Sequence, residues 1–509
     1  MEAKSTTGRL ASPAFVLAAA TLLLHLIVNN RYGVFSDELY FIVCGQHPAL
    51  GYVDQPALIP LIAGASHALF GTALLPLRLV PTLAMTATVA LTAELARILG
   101  GGRFAQWLSG LAVLFGGVFL VDGLLLTTDA LQPLTWLGCS WCLVRLAQTK
   151  DERWWLAFGA IVGVSLSSKY LIAFYLAGLA IGILATPLRR SLLRPWLYLG
   201  ALVALAIAWP SLYWQAAHGW PFLEVGRAGA SGKNLVLSPL GFLGQQILFV
   251  GPAAAFIWIA GLWRFSIKPP LAELRVFPIA YATMLVLFYV LHGKAYYLAP
   301  VYPVLLADGA VAIESWFAWR ALRWAAIALV AGIGAVAAPL TLPILPPDHY
   351  AAYARALGIP SGAAATETHE KGGGLPLHLA GQFGWREMAA KIAAVYNALP
   401  PDQRAKAVFF GRDYSEASAI NIYGPAFHGP AAISSHNNYF LWGPGATDGS
   451  VVITVGDVAV LMNNYRSARL VGHIDNAYAE SWETNLPIYV LTEPHVPLSV
   501  LWPKLKHYE

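Results

Sequence analysis

Apolar runs of about 20 residues recur along most of this chain, and they constrain its fold more than any other feature. Only 12% of its 509 residues are charged and 57% are hydrophobic, whereas soluble domains carry about 25% charged residues. The sequence therefore predicts a polytopic α-helical membrane protein with about eleven transmembrane helices. These helices are predicted at 11–29, 73–95, 104–121, 128–147, 154–167, 169–186, 196–214, 241–263, 275–291, 296–313 and 323–342.

Lysine and arginine are unevenly divided between the two sides of these spans. One set of connections carries pairs such as Arg97 with Arg103 and Arg189 with Arg190, and the other set carries scattered cations such as Arg31. Because cytoplasmic connections are enriched in Lys and Arg, the N-terminus is predicted in the cytoplasm and the C-terminus outside. No A-x-A-like cleavage site follows the first span, so we interpret it as a retained anchor.

The character of the sequence changes after about residue 343, where no further run could span a bilayer. Residues 1–342 are predicted to form the transmembrane domain, with a first outer loop at 30–72, and residues 343–509 a soluble extracytoplasmic domain. Strand and helix patterns alternate in the second part, which is typical of an α/β domain with a mainly parallel sheet. Its strands are predicted at 405–410, 451–455 and 487–491, and its helices at 385–399, 415–423 and 458–470.

Three carboxylates, Asp37, Glu38 and Asp54, lie in the first outer loop, and Asp129 lies near the outer end of the fourth span. Acidic side chains beside a bilayer are costly, so they are usually kept for chemistry or transport. Structural roles are the alternative. Asp37 could stabilise the N-terminus of a loop helix, Asp54 could hold a turn, and Asp129 could cap its span.

Basic and aromatic side chains lie near the outer ends of several spans. Lys169 could extend its charge to the interface, and an aromatic belt would explain the tyrosines. Arg78 lies in an apolar stretch, where a cation needs a partner. The polar, aromatic loop around His436 fits a surface turn and a substrate contact equally well. The candidate substrate-binding residues of these regions are Arg78, Lys169, Tyr170, His292, Lys294, Tyr296, Tyr297 and His436.

The outer face of a membrane limits the chemistry, because neither ATP nor a nucleotide sugar is available there. An activated substrate must then cross on a lipid carrier. Such a reaction needs a general base for an acceptor hydroxyl, cations for a lipid phosphate and an apolar groove. Asp37 is the candidate base, and apolar surface is abundant.

No metal motif stands out in the sequence, which has no HExxH and no clear DxD. A divalent cation could bind Asp37, Glu38 and Asp129, but cationic side chains alone can stabilise a monophosphate leaving group. No cofactor is therefore required. Cys139 and Cys142 form a CxxC inside an apolar span, where we interpret them as packing residues.

Five local patterns, in order along residues 10–320, resemble the GT-C membrane glycosyltransferases. The resemblance is to the bacterial family 39-like branch, with protein O-mannosyltransferases, lipid A aminoarabinose transferases and lipopolysaccharide galacturonosyltransferases. The patterns are Asp37-Glu38 after the first span, Tyr52-Val-Asp54-Gln-Pro56, Thr128-Asp129, Ser168-Lys169-Tyr170 and Lys294-Ala-Tyr296-Tyr297.

This resemblance implies a GT-C fold and an inverting transfer of sugar from a polyprenyl-monophosphate donor to a hydroxyl. The acceptor would be lipid A or lipopolysaccharide, a cell-envelope glycan or a protein, outside the bacterial inner membrane. Asp37 would be the base, with Glu38 and Asp129 orienting it or the sugar. The donor-phosphate loop would contain Asp54 with Tyr52 and Gln55. The chain departs from the family where Gln55 replaces a frequent cation and Ala57 the second proline.

Two other functions use the same features. A lipid or small-molecule transporter or flippase would use the intramembrane charges, but it predicts inverted repeats and helices broken at the midplane. A receptor or assembly scaffold would bind a cell-wall component through its outer domain, and it leaves the acids of the first loop unexplained. For the glycosyltransferase, the predicted partners are a lipid-linked sugar, an extracytoplasmic acceptor and membrane lipids, with no nucleic acid.

Overall fold

The computed structural model describes residues 12–359 and 374–509. Each predicted span coincides with one helix or with successive helices. Outside the predicted first outer loop and residues 213–233, the α-helices up to residue 341 are Pro13–Val28, Leu74–Leu77, Leu79–Ile98, Arg103–Leu114, Gly117–Leu124, Gln132–Thr149, Trp154–Ser168, Ile172–Ala185, Pro195–Ala217, Pro239–Val250, Ala255–Ile267, Val276–Val290, Tyr302–Trp316 and Arg320–Thr341. The 3₁₀ helices there are Pro187–Leu193, Pro252–Ala254, Ala272–Arg275 and Ala295–Val301.

Several of these helices bend at identifiable residues. Five described helices are long and apolar enough to cross a membrane, or up to eight if each bent pair is one span. The pair Pro239–Val250 and Pro252–Ile267 bends by 96°, where Gly251 has a φ of +107° and Pro252 lacks an N–H. The chain is therefore a multi-pass membrane protein, as predicted, while the number eleven stays a prediction.

The chain divides into two compact units, each built from separate segments. The first contains the described residues up to Arg31 together with Leu74–Leu212 and Asn234–Ile344. The second contains the first outer loop and the C-terminal part, as Tyr32–Ala73, Tyr213–Lys233 and Leu345–Glu509. The acids of the first loop thus share a unit with the residues after 344.

Close helix packing in the first unit depends on small residues. Gly261 of Ala255–Ile267 lies against the backbone of Leu305, and Gly309 of Tyr302–Trp316 lies against the backbone of the facing helix. A Cβ atom at either glycine would overlap main-chain atoms. Glycines of this kind let membrane helices approach closely, since lipid supplies no hydrophobic force between them.

The second unit contains a five-stranded sheet in the order β2-β1-β3-β5-β4. The parallel pairs join β1 to β2 and β1 to β3, and the antiparallel pairs join β5 to β3 and to β4. Its core packs Phe410, Val452, Leu491 and Trp502. The strands are β1 (Ala407–Gly411), β2 (Ala432–Ser434), β3 (Val451–Val455), β4 (Tyr465–Ile474) and β5 (Leu486–Pro494).

Two details predicted for this domain are wrong. The sheet is mixed rather than mainly parallel, because β5 runs antiparallel to both of its neighbours. The helix predicted at 458–470 ends after Ala459–Met462, and the following residues form β4. Pairing with β5 overrides the helical preference of Arg, Ala and Leu in this segment, as tertiary context commonly does.

The second unit also contains helices. Some of them flank the sheet, and two form the first outer loop. Ser36–Gln46 and Leu58–Phe70 follow the first span, and Gly45 and Gly64 let them pack backbone to backbone. The other α-helices of this unit are Pro221–Ala228, Pro347–Ala356, Leu377–Ala380, Trp385–Asn397, Pro401–Arg404, Tyr414–Tyr423, Asn437–Trp442, Ala459–Met462 and Leu498–Leu505.

Candidate active site

The two acids that follow the first span lie in the first turn of Ser36–Gln46. Carboxylates are favoured there by the helix dipole. Glu38 is fully buried, and its Oε2 accepts from the N–H of Phe35 at 2.9 Å. Glu38 therefore fixes the start of the helix. Asp37 is only partly buried, and its Oδ1 accepts from the hydroxyl of Tyr414 at 2.9 Å.

A second acid has a matching tyrosine. Tyr40 lies three residues after Asp37 on the same helix face, and its hydroxyl donates to Oδ1 of Asp54 at 2.9 Å. The rings of Tyr40 and Tyr414 stack with centroids 4.3 Å apart. The second unit thus brings Asp37 and Asp54 together as two adjacent acid–tyrosine pairs.

Burial keeps both tyrosines neutral. It raises the pKa of Tyr40 and of Tyr414 well above the ordinary range, and the charges of Asp54 and Asp37 raise these pKa values further. A neutral hydroxyl can donate a hydrogen bond to a carboxylate, whereas a phenolate would repel it. Each tyrosine is therefore a permanent hydrogen-bond donor to its acid at physiological pH.

The loop around His436 packs on these pairs. Nδ1 of His436 accepts from the N–H of Tyr414 at 3.4 Å, and the two rings lie 4.7 Å apart. Asn438 accepts from the N–H of Val53 at 2.6 Å and donates its own N–H to the hydroxyl of Tyr40 at 3.3 Å. The structure thus places His436 in contact with Tyr414, the partner of Asp37, and Asn438 in contact with Tyr40, the partner of Asp54.

Tyr52 and Gln55 flank Asp54 but have different surroundings. The hydroxyl of Tyr52 donates to the carbonyl of Cys44 at 2.8 Å, which ties the loop to the first-loop helix. Gln55 is 1% exposed, and neither polar atom of its side chain has a hydrogen-bond partner among the described residues. A buried amide without partners carries a desolvation cost, which a polar group of a substrate could relieve.

The first unit brings together other predicted residues. Nζ of Lys169 lies 2.6 Å from Oδ2 of Asp129, and both side chains are 16% exposed. The same ammonium lies over the ring of Tyr297, 4.6 Å from its centroid. Lys169 is at the break between Trp154–Ser168 and Ile172–Ala185. The charge of Lys169 is thus partly balanced by Asp129 and held in position beside the helix break.

The remaining predicted cations have structural contacts. Arg78 is fully buried and donates to the carbonyl of Asn29, at the end of the first span, at 2.9 Å. A cation at a helix C-terminus is favoured by the dipole. His292 lies two residues after Val276–Val290 with a φ of +52°, and its carbonyl accepts from Nδ2 of Asn234 at 2.9 Å. Nζ of Lys294 lies 5.6 Å from the ring of Tyr296.

Tyr170 also contacts a neighbouring helix, since its hydroxyl lies 3.5 Å from the carbonyl of Ser211. Among the described residues, no group of three or more His, Cys, Asp and Glu side chains is arranged to hold a metal ion. Asp37 and Glu38 belong to the second unit and Asp129 to the first. A divalent cation at these three acids stays a prediction.

Sequence reasoning did not assign a role to Tyr40, Tyr414 or Asn438. The signal that could have found Tyr414 is the polar run Arg412-Asp413-Tyr414, which follows the strand predicted at 405–410. Asn438 lies in the polar loop that contains His436. For Tyr40, the only signal in the sequence is its spacing of one helical turn from Asp37.

Part of this chain resembles known proteins in sequence. Residues 54–214 match the family model of dolichyl-phosphate-mannose-protein mannosyltransferase. The lipid A galacturonosyltransferase RgtD of Rhizobium johnstonii is 27% identical over 241 residues, which are 45% of this chain and 49% of RgtD. The match thus spans about half the length of that curated relative.

Two crystal structures of ArnT from Cupriavidus metallidurans share the fold over almost the whole chain. The apo form has a TM-score of 0.63 at 17% identity, and the form bound to undecaprenyl phosphate 0.61 at 18%. Each match covers 96% of this chain and 100% of ArnT. The chain shares the fold of ArnT. The predicted GT-C fold is thereby confirmed, with its apolar helices and C-terminal sheet domain.

Proposed function

We propose that this GT-C protein is an inverting glycosyltransferase. It moves a sugar from a polyprenyl-monophosphate donor to a hydroxyl of an extracytoplasmic acceptor, with Asp37 as the general base. The observation that supports this most strongly is the environment of Asp37. A carboxylate at a helix N-terminus, partly buried and held by a neutral tyrosine, has a defined position and remains able to accept a proton.

The chemistry needs one proton transfer and one displacement. Asp37 takes the proton of the acceptor hydroxyl as its oxygen attacks the anomeric carbon. The bond between that carbon and the phosphate oxygen breaks, and the polyprenyl monophosphate leaves with the bonding electrons. Attack opposite the leaving group inverts the anomeric configuration. Asp54 shapes the loop at the donor phosphate, and Glu38 holds the helix that carries the base.

The leaving phosphate needs positive charge, and the motif resemblance makes Lys169 and Lys294, both in the first unit, the candidates for it. Lys169 is oriented by Asp129 and Tyr297, and Lys294 lies beside Tyr296. A lipid-linked donor is supported by the ArnT structure with undecaprenyl phosphate and by the many apolar helices. The name of RgtD supports a lipid A or lipopolysaccharide acceptor over a glycan or a protein.

The test is to reconstitute the full-length protein in liposomes with polyprenyl-phosphate sugars and extracts of lipid A as acceptor. We expect loss of a lipid-linked sugar, gain of a glycosylated acceptor with inverted anomeric configuration, and release of polyprenyl monophosphate. Movement of an intact lipid between leaflets without any glycosylated product would overturn the proposal in favour of a flippase.

A further inference from the structure

We propose, on the basis of the function proposed above, that Tyr414 is a positioning residue for the catalytic base. It is supplied by the C-terminal part of the chain, 377 residues after Asp37. Its hydroxyl donates to Oδ1 of Asp37 at 2.9 Å. The C-terminal part of the second unit would then complete the active site rather than serve only to bind an acceptor.

The backbone of Tyr414 is fixed by the turn that precedes it. β1 ends at Gly411, and Tyr414 is the first residue of the next helix. The side chain of Asp413 caps this helix by accepting from the N–H groups of Ser415 at 2.7 Å and Glu416 at 3.0 Å. An N-cap of this kind holds the first helical turn in one conformation.

Arg412 holds the same turn through hydrogen bonds to two buried carboxylates. Its Nε donates to the fully buried Glu416 at 2.7 Å, and its Nη2 lies 3.3 Å from Glu483. Glu416 in turn accepts from the N–H of Arg412 at 2.6 Å. These charge-assisted hydrogen bonds are stronger than neutral ones, so the turn cannot shift without breaking several of them together.

The ring of Tyr414 is also confined. Tyr40 stacks on it at 4.3 Å, and His436 packs against it at 4.7 Å. With the backbone and ring both held, the hydroxyl reaches Asp37 in one orientation. The expected consequence is a single carboxylate rotamer of Asp37, ready for an acceptor hydroxyl. Precise placement of a base contributes to rate through the geometry of attack.

The hydroxyl has an electrostatic effect as well. A donor to a carboxylate stabilises its ionised form, which is the form that accepts a proton. In Tyr414→Phe the ring and its stacking remain, but this donor is lost. We expect kcat to fall by about 10-fold or more, with the donor KM nearly unchanged. The acid limb of the pH–rate profile should move to higher pH.

The control is Tyr465→Phe. Tyr465 is a buried tyrosine of the same unit, but its hydroxyl donates to the carbonyl of Gly449 at 2.7 Å. We expect the kinetics of Tyr465→Phe to match wild type. Melting temperatures of both variants would confirm that each one folds. A fall in kcat of the same size in both variants would contradict a specific role for Tyr414.

A double variant separates positioning from a general structural effect. If Tyr414 acts through the base, adding Tyr414→Phe to Asp37→Asn has no further effect on the residual rate. Independent losses in the two variants would overturn the proposal. The proposal would also be overturned by one combination of results, in which wild type is active, Asp37→Asn is inactive and Tyr414→Phe has the kcat and pH profile of wild type. An inactive wild type with every donor would overturn the proposed transfer reaction itself, and the positioning role with it.

Discussion

Asp37 and Glu38 are neighbours in sequence, but their carboxylates have different partners. Successive residues of a helix point about 100° apart, so one carboxylate meets Tyr414 while the other turns back to the N–H of Phe35. This difference separates a candidate base from a helix-stabilising acid. The sequence predicted that this pair is important, but only the geometry divides the two roles.

Gln55 offers a prediction at the same scale. Its buried side chain has no hydrogen-bond partner among the described residues, so Gln55→Leu removes an unsatisfied amide. Without substrate, we expect this variant to be more stable than wild type by about 1–3 kcal/mol. With donor, we expect a higher KM, because the polar contact is lost. Thermal unfolding and donor titration measure the two effects.

Gln215 provides the matched comparison. It is equally buried, but its amide donates to the carbonyl of Tyr52 at 2.7 Å and accepts from the N–H of Phe222 at 3.2 Å. Gln215→Leu should therefore destabilise the protein. Similar destabilisation in Gln55→Leu would show that the amide of Gln55 is satisfied.

At the scale of elements, the turn between β1 and Tyr414–Tyr423 combines rigidity with an unbalanced charge. Arg412 faces two buried carboxylates, those of Glu416 and Glu483. Burial raises the pKa of Glu483 well above its ordinary value of 4.5, and the charges of Glu416 and Asp413 add to the shift, although Arg412 opposes it. One of the two buried acids is therefore expected to hold a proton near neutral pH.

Glu483→Gln tests this charge balance. Because the folded protein binds this proton more tightly than the unfolded chain, the contribution of Glu483 to wild-type stability falls as pH rises above 4.5. The amide cannot ionise, so this part of the pH dependence disappears. We expect a higher melting temperature than wild type at pH of about 8 and little difference at about 5. Glu387→Gln, at an exposed position, serves as the control.

A Glu483→Gln variant that is less stable than wild type at high pH would contradict this expectation, since the ionised form would then be required by Arg412.

The strands of the same unit show what sequence patterns can predict. β3 was predicted at its observed residues because five buried residues, four of them apolar, form it. β2 was missed because it has only three residues, and β4 because its preference is set by pairing with β5.

At the scale of the whole molecule, the second unit is assembled from segments far apart in sequence. The first outer loop, residues 213–233 and the chain after 344 fold together. Hydropathy predicts where such a chain enters and leaves the membrane, since it reports local composition. It cannot predict that Tyr40 and Tyr414 stack, because that contact depends on long-range packing.

The predicted orientation can be tested with introduced cysteines. The three native cysteines, Cys44, Cys139 and Cys142, are buried. Glu387→Cys and Arg190→Cys each alter an exposed residue. In intact spheroplasts, an impermeant maleimide should label the first variant and should label the second only after lysis. The reverse pattern would contradict an extracytoplasmic C-terminal part.

The most direct test of the account compares wild type with Asp37→Asn in the reconstituted transfer reaction. The amide keeps the size of the side chain but cannot serve as a base. We predict that the variant binds the polyprenyl-phosphate sugar as tightly as wild type and transfers it about 100-fold more slowly or worse. Equal rates of transfer by the two proteins would contradict the assignment of Asp37 as the base.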